Sequence, residues 1–172
     1  DDRYKPTPDA STLRSAASPL DTPQAVNVVP AQVIRDQRPR YLDDVLTNVS
    51  GITQGNTLAG TQDTVLKRGF GGNRDGSVMH NGTPVVQGRA FNAATQSVEV
   101  LKGPSSLLYG IMDPGGVINI VLRRGYQGGE LTLNYADTSD FAQGDGRIDL
   151  TAARTLEGGR TNVSLTASWR KQ

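Results

Sequence analysis

Chemistry carried out by this chain would have to come from few side chains, because its 172 residues include one histidine, His80, and no cysteine. Without thiols it makes no disulfide, zinc–thiolate site or iron–sulfur cluster, and a lone histidine cannot build a multi-histidine metal centre within the chain. His80 has no Cys or Ser nucleophile in a recognisable context, so it reads as a strand-end residue beside Asn81-Gly82. The phosphate-binding, nucleophile-elbow and zincin motifs are absent, and the cluster Gly69, Gly71, Gly72, Gly76 does not fit the dinucleotide fingerprint. No enzyme is expected. Asn48, Asn81 and Asn162 match the glycosylation spacing, which has meaning only in a eukaryotic secreted protein and is read here as chance.

The charges narrow the partners further. Lys and Arg number 18 against 17 Asp and Glu, split 13 to 11 over residues 1–126 and 5 to 6 over residues 127–172. Neither part carries the basic footprint of a nucleic-acid binder, so no nucleic-acid partner is expected. No run of about 18 apolar residues offers a transmembrane helix, which leaves a membrane role open only to β-strands.

The elements that would position any functional residue change character along the chain. Residues 1–20 read as an extended tail rich in Pro, Ser and Thr. A short strand at Ala25 to Val29, a helix from Ala31 to Asp36 and a second from Tyr41 to Val49 follow. In the second, Leu42, Val45, Leu46 and Val49 share a face and Gly51 stands where a C-terminal cap would. The Gly- and Asn-rich stretch 51–88 holds brief strands at Thr64 to Arg68 and Ser77 to His80, the latter running into Asn81-Gly82, a strong type I′ hairpin signal. Ser97 to Leu101 alternates as a strand, Pro104 to Tyr109 makes about one helical turn, and Val117 to Leu122 reads as a buried strand. Gly103, Gly110, Gly115 and Gly116 mark tight backbone between them.

After Gly125 three segments of period two appear. Leu131, Leu133 and Tyr135 alternate with polar partners, as do Ile148, Leu150 and Ala152, and then Val163, Leu165, Ala167 and Trp169. The pattern is an antiparallel sheet with one apolar and one polar face, shared by soluble sandwiches and outer-membrane barrels. Trp169 at a strand end suits an interfacial aromatic girdle.

Six phrases occur in order: Asp21-Thr22-Pro23-Gln24-Ala25-Val26-Asn27-Val28-Val29, Leu42-Asp43-Asp44-Val45-Leu46 with Val49-Ser50-Gly51-Ile52, Lys67-Arg68-Gly69-Phe70, Asn81-Gly82-Thr83-Pro84-Val85, the string from Val98 to Gly110, and Pro114-Gly115-Gly116-Val117-Ile118-Asn119-Ile120-Val121. Together they resemble the plug domain of TonB-dependent outer-membrane receptors, in particular the ferric-siderophore branch. The resemblance implies an α+β plug domain, a small mixed sheet with short helices, over residues 21–125, followed over 126–172 by the antiparallel first strands of a truncated outer-membrane β-barrel. A large barrel has a lumen that must be filled, and a plug meets a hydrated wall instead of lipid. Where the family carries Ser or Thr, then Lys-Lys/Arg-Pro after the last plug strand, this chain has Leu122-Arg123-Arg124-Gly125. Three open strands leave unpaired edges, so the chain is expected to be a fragment of a receptor or a truncated gene product.

By the same resemblance Arg68 and Lys102 pair with barrel-wall carboxylates, and Glu99 joins their network. Outward-pointing plug loops contact substrate; here these are 54–60, 71–76 and 87–91. Within them Arg74 and Arg89 meet the negative charge of a ferric siderophore, Phe91 packs on its organic part, and Gly72 and Gln87 line the contact. The iron comes wrapped in its ligand, so the protein needs no cofactor and no metal ligands of its own. Implied partners are the barrel wall, the outer membrane of a Gram-negative cell and the inner-membrane TonB protein that transduces energy. A plug for another cargo, such as cobalamin or a sugar, and a free soluble siderophore-binding module are the alternative expectations.

Overall fold

The computed structural model describes residues 4–5, 11–13, 21, 23–59, 61, 64–72, 75–85, 91–110, 114–137, 144–156 and 160–171. The chain divides into two compact units, one of residues 1–91 and 95–122 and one of residues 92–94 and 123–172.

The first unit is built on a mixed sheet. Its strands are β1 (Ala25–Val29), β4 (Val78–His80), β5 (Thr83–Pro84), β6 (Thr95–Lys102) and β7 (Gly116–Leu122), in the spatial order β1-β6-β7-β4-β5. Only β4 and β7 run parallel; the other pairs are antiparallel. The interior strand β6 is buried on both faces, which is why its sequence loses strict alternation beyond Ser97. On one face, Val98, Val100, Ile118 and Ile120 pack with Ile34 of α1 (Ala31–Gln37) and Leu42, Val45 and Leu46 of α2 (Leu42–Leu46). On the other, Leu101 and Val117 pack with Met79 and Leu13. A separate hairpin joins β2 (Ile52–Gln54) to β3 (Val65–Lys67).

Local chemistry sets the boundaries. Asp44, at the third helical position of α2, accepts hydrogen bonds from the N–H groups of Arg40 (2.8 Å) and Tyr41 (3.0 Å), so the side chain closes the helix start. This helix ends at Leu46, earlier than its apolar periodicity suggests. Thr47 caps it, Val49 is buried from the following turn, and Gly51 (φ 74°) leads into β2, where its carbonyl accepts the Arg68 N–H at 2.7 Å. Gly51 is therefore not the helix cap. Asn81 and Gly82, with φ of 50° and 81°, make the expected tight turn between β4 and β5, and His80 ends β4 beside it. Both asparagines near this turn are used: Asn119 Oδ1 accepts the Gly82 N–H and Asn81 Oδ1 the Leu122 N–H. The one-turn helix α3 (Ser106–Tyr109) falls where the sequence places it.

The N-terminal segment departs from an extended tail at residues 11–13. Ser11–Leu13 form a single 3-10 turn with Thr12 and Leu13 buried, because Leu13 joins the second apolar cluster and Thr12 has a buried hydrogen-bonding partner in Glu99.

The second unit contains a three-stranded antiparallel meander, β8 (Gly128–Asp137), β9 (Gly144–Leu156) and β10 (Thr161–Lys171), with β9 in the middle. Its register puts Leu131, Leu150 and Ala167 in one row and Leu133, Ile148 and Trp169 in the next. The alternate rows bring Thr132, Asp149 and Ser168 together on the opposite face. Leu131, Leu133, Tyr135, Leu165 and Trp169 are exposed, whereas Asp149 and Thr151 are buried. Thr132 and Ser168 at the ends of that polar row are exposed as well, but the apolar rows are left open throughout, the arrangement of a strand facing lipid.

Candidate functional site

The loop after β3 is organised by a lysine. Arg68 and Gly69, with φ of 55° and 85°, form a two-residue reversal that brings Phe70 back against Lys67, with Lys67 N–H to Phe70 O at 2.6 Å and the reciprocal bond at 3.0 Å. Beyond this reversal Lys67 lies only 1% exposed, its Nζ donating to Ser77 Oγ at 2.7 Å and standing 3.4 Å from Asp75 Oδ2. Asp75 in turn accepts the Ser77 N–H (2.9 Å), the Ser77 hydroxyl (2.6 Å) and the Gly72 N–H (3.1 Å). One carboxylate therefore ties Gly72 to Ser77, and one buried ammonium neutralises it.

Burial of the Asp75 carboxyl works to raise its pKa. The Ser77 hydroxyl and N–H, the Lys67 charge and the Gly72 N–H outweigh that effect and hold it below the ordinary aspartate value. A depressed folded pKa contributes stability that is complete above the unfolded value and is lost as pH falls through the folded one. Protection of the Gly72 and Ser77 amides is accordingly expected to hold from neutral pH down to about pH 4 and to fail only below it. Amide exchange followed by NMR checks this, and a loss of protection already between about pH 7 and pH 5 would show that an ionised Asp75 does not hold the turn.

The basic pair expected to face barrel carboxylates is brought together. Burial lowers the Lys102 pKa and the positive charge of nearby Arg68 lowers it further; Lys102 Nζ donates to Ser50 Oγ at 3.2 Å while Arg68 is exposed. Two like charges within electrostatic reach of each other favour a carboxylate that can meet both. Glu99 does not belong with them. It lies three residues from Lys102 on a strand and so on the opposite face, where it is 3% exposed and accepts the Thr12 N–H at 2.8 Å and the Thr12 hydroxyl. Tyr109 closes the same contact by donating to Thr12 O at 2.7 Å.

Of the expected chelate-contacting residues, Gly72 is held by its N–H to Asp75. Arg74, Gln87 and Arg89 fall outside the described residues. Phe91 is not presented to solvent: it is 4% exposed, packs into the core beside α2, and its N–H donates to Arg40 O at 3.1 Å. A large aromatic ring next to an apolar cluster gains more by joining it than by standing in a loop, which corrects its assignment as a ligand contact. Lys67, Asp75, Ser77 and Thr12 were not singled out from sequence. The Asp-x-Ser spacing at 75–77 was a usable signal, since Asp commonly bonds the backbone two residues on.

In the second unit the polar face carries its own charges. Arg147 Nε lies 2.8 Å from Asp149 Oδ2. Arg123 pairs with Glu130 and stacks 5.7 Å from the centre of the Tyr126 ring, so the connection into β8 is pinned by charge and ring together.

Residues 18–117 match the family model described as TonB-dependent Receptor Plug Domain. The metal-pseudopaline receptor CntO of Pseudomonas aeruginosa is 34% identical over 122 residues, covering 70% of this chain and 17% of that protein. The catecholate siderophore receptor Fiu of Escherichia coli is 35% identical over 119 residues, covering 60% of this chain and 14% of its own length. The closed-form crystal structure of Fiu from E. coli superimposes with a TM-score of 0.73 at 26% identity, covering 98% of this chain and 23% of that one. The ferripyoverdine receptor of P. aeruginosa bound to ferripyoverdine has the same fold, with a TM-score of 0.75 at 24% identity over 97% of this chain and 23% of that one. The chain spans between 14% and 18% of the length of these and similar curated relatives.

Proposed function

Because the chain belongs to the plug-domain family of TonB-dependent receptors, we propose that it forms the plug and opening wall strands of an outer-membrane transporter for a ferric siderophore. The observation that carries this reading is the three-stranded sheet that leaves its apolar rows exposed while Asp149 and Thr151 of its polar face are buried, following in sequence a mixed plug-type sheet. A plug alone would account for a soluble binding module. It would not account for rows such as Leu133, Ile148 and Trp169 left open, which fit a wall with lipid on one side.

In this reading the plug binds the chelate through its outward loops, with Arg74 and Arg89 supplying charge-assisted hydrogen bonds and Gly72 and Gln87 close backbone or amide contacts. Arg68 and Lys102, adjacent and basic, hold the plug to carboxylates of the wall. Ligand binding shifts the balance between a closed and an openable plug, and an inner-membrane energy-transducing protein then pulls from the N-terminal side. The siderophore assignment draws on relatives named for a catecholate siderophore, for ferrioxamine and for metal-pseudopaline.

Titration of the full chain in outer-membrane-type detergent with ferric chelates tests the site. Arg74→Ala and Arg89→Ala are each expected to weaken binding about tenfold, the worth of one charge-assisted hydrogen bond. Unchanged affinity in both would remove the assignment. Binding of cobalamin or a sugar, with no response to ferric chelates, would move the chain to another cargo.

A further inference from the structure

The buried face of β3 begins with Val65, an apolar residue, and two positions later presents Lys67, which is as completely enclosed as any residue of the core. An ammonium in that position is costly unless it is paired and hydrogen-bonded, and for packing alone a methionine would serve better. The enclosure is built to receive it. Gly71 has φ of 128°, and a Cβ there would lie 2.9 Å from Lys67 Nζ and 2.7 Å from Val65 O, so the backbone closes over the amine only because the residue is glycine. Lys67 reaches Asp75 both directly and through the Ser77 hydroxyl, and Asp75 in turn gathers the N–H groups of Gly72 and Ser77. The adjacent Arg68 faces outward and leaves this pair alone.

We propose that Lys67 is a positioning and charge-selecting residue for ligand capture. It fixes Gly72 and Ser77 against each other through Asp75 and cancels the charge of Asp75, the one acidic residue between Gly71 and Ser77, toward an anionic chelate. The proposal deepens the reading of the 71–76 loop as a chelate contact and rests on it. An unmatched carboxylate in the turn would repel a triply anionic ferric tris-catecholate and be nearly indifferent to a neutral ferric trihydroxamate, so Lys67 governs discrimination between the two as well as loop shape.

The test uses the full chain with two probes, a ferric tris-catecholate and a neutral ferric cyclic trihydroxamate, and amide exchange at Gly72 and Ser77 without ligand. Lys67→Met is expected to speed exchange at both amides at least about tenfold and to lower the tris-catecholate to trihydroxamate affinity ratio about tenfold, while β6 and β7 amides keep their protection. Lys67→Arg, which keeps the charge, and Lys67→Met/Asp75→Asn, which removes both, are expected to return that ratio to within about threefold of the parent. Unchanged exchange at Gly72 and Ser77, or equal loss of both chelates with no recovery in the double variant, overturns the proposal. Should Lys67→Met fail to fold, Asp75→Asn takes its place. It is expected to raise the tris-catecholate preference, and a fixed preference overturns the proposal. If the parent chain binds neither chelate, the reading of the loop as a contact fails, and exchange at the two amides alone then decides whether Lys67 positions the turn.

Discussion

Gly116→Ala is expected to abolish cooperative folding of the first unit, or to cost it upward of about 4 kcal/mol, among the largest effects a single methyl group can have. Gly116 opens β7 opposite Lys102, with φ of 112°, a region that side-chain-bearing residues rarely enter. A Cβ there would stand 2.0 Å from Leu101 O, 3.0 Å from Leu101 C and 3.1 Å from Gly103 N. All three are backbone atoms, and Leu101 is fully buried in the interior strand β6, so no flexible side chain can swing aside to make room. The backbone strain alone costs about 1–3 kcal/mol, and relieving the clash means parting β6 from β7 at the end of their ladder. Gly82→Ala is the control: it too has positive φ, 81°, but nothing lies within 4 Å of its added carbon, so only the strain remains. Urea denaturation followed by circular dichroism distinguishes the two. A Gly116→Ala midpoint as close to the parent as that of Gly82→Ala would show that β6 and β7 leave room for a methyl group at Gly116.

That glycine was visible in sequence as one of the positions where tight backbone should sit. So were β1, β6, β7, the turn at Asn81-Gly82 and the alternation of residues 131–169, because each rests on local periodicity or on a residue whose backbone preference is strong. What escaped was decided by tertiary partners. Lys67 and Arg68 are adjacent and equally basic, and sequence alone gave no reason to choose between them. The left-handed pair Arg68-Gly69 decides it, turning one inward and the other out. Phe91 sat in a stretch that reads as loop, and its ring is claimed by an apolar cluster assembled from α2, β6 and β7. Thr12 lay in a Pro- and Ser-rich tail, with its buried partner 87 positions away in sequence. Glu99 is different, since strand parity already separates it from Lys102 by one face; the resemblance drew it into the wrong network although the alternation argued against it.

The correction at Glu99 leads to the second large effect. Glu99 accepts both the N–H and the hydroxyl of Thr12, which is fully buried, and Tyr109 donates to the Thr12 carbonyl from the far side of the same face. A buried donor left without its acceptor costs about 1–3 kcal/mol. Glu99→Leu fills the volume with apolar atoms and removes the acceptor from two donors at once, so Ser11–Leu13 should lose about 3 kcal/mol of local stability, which is about a hundredfold faster exchange at the Thr12 amide. Glu99→Gln keeps an acceptor oxygen and should lose less. Tyr109→Phe removes one neutral hydrogen bond and should quicken the same amide only about fivefold. This order, Leu far above Gln and Phe, separates a hydrogen-bonded clamp from packing, because Leu13 in the second apolar cluster is untouched by all three changes. A Thr12 amide whose exchange moves less than about threefold in Glu99→Leu would mean that Leu13 alone holds the segment. Under the proposed gating, a pull from the N-terminal side meets this clamp before it reaches β1, and Glu99→Leu should let protease reach residues 11–13 while the β6–β7 core stays protected.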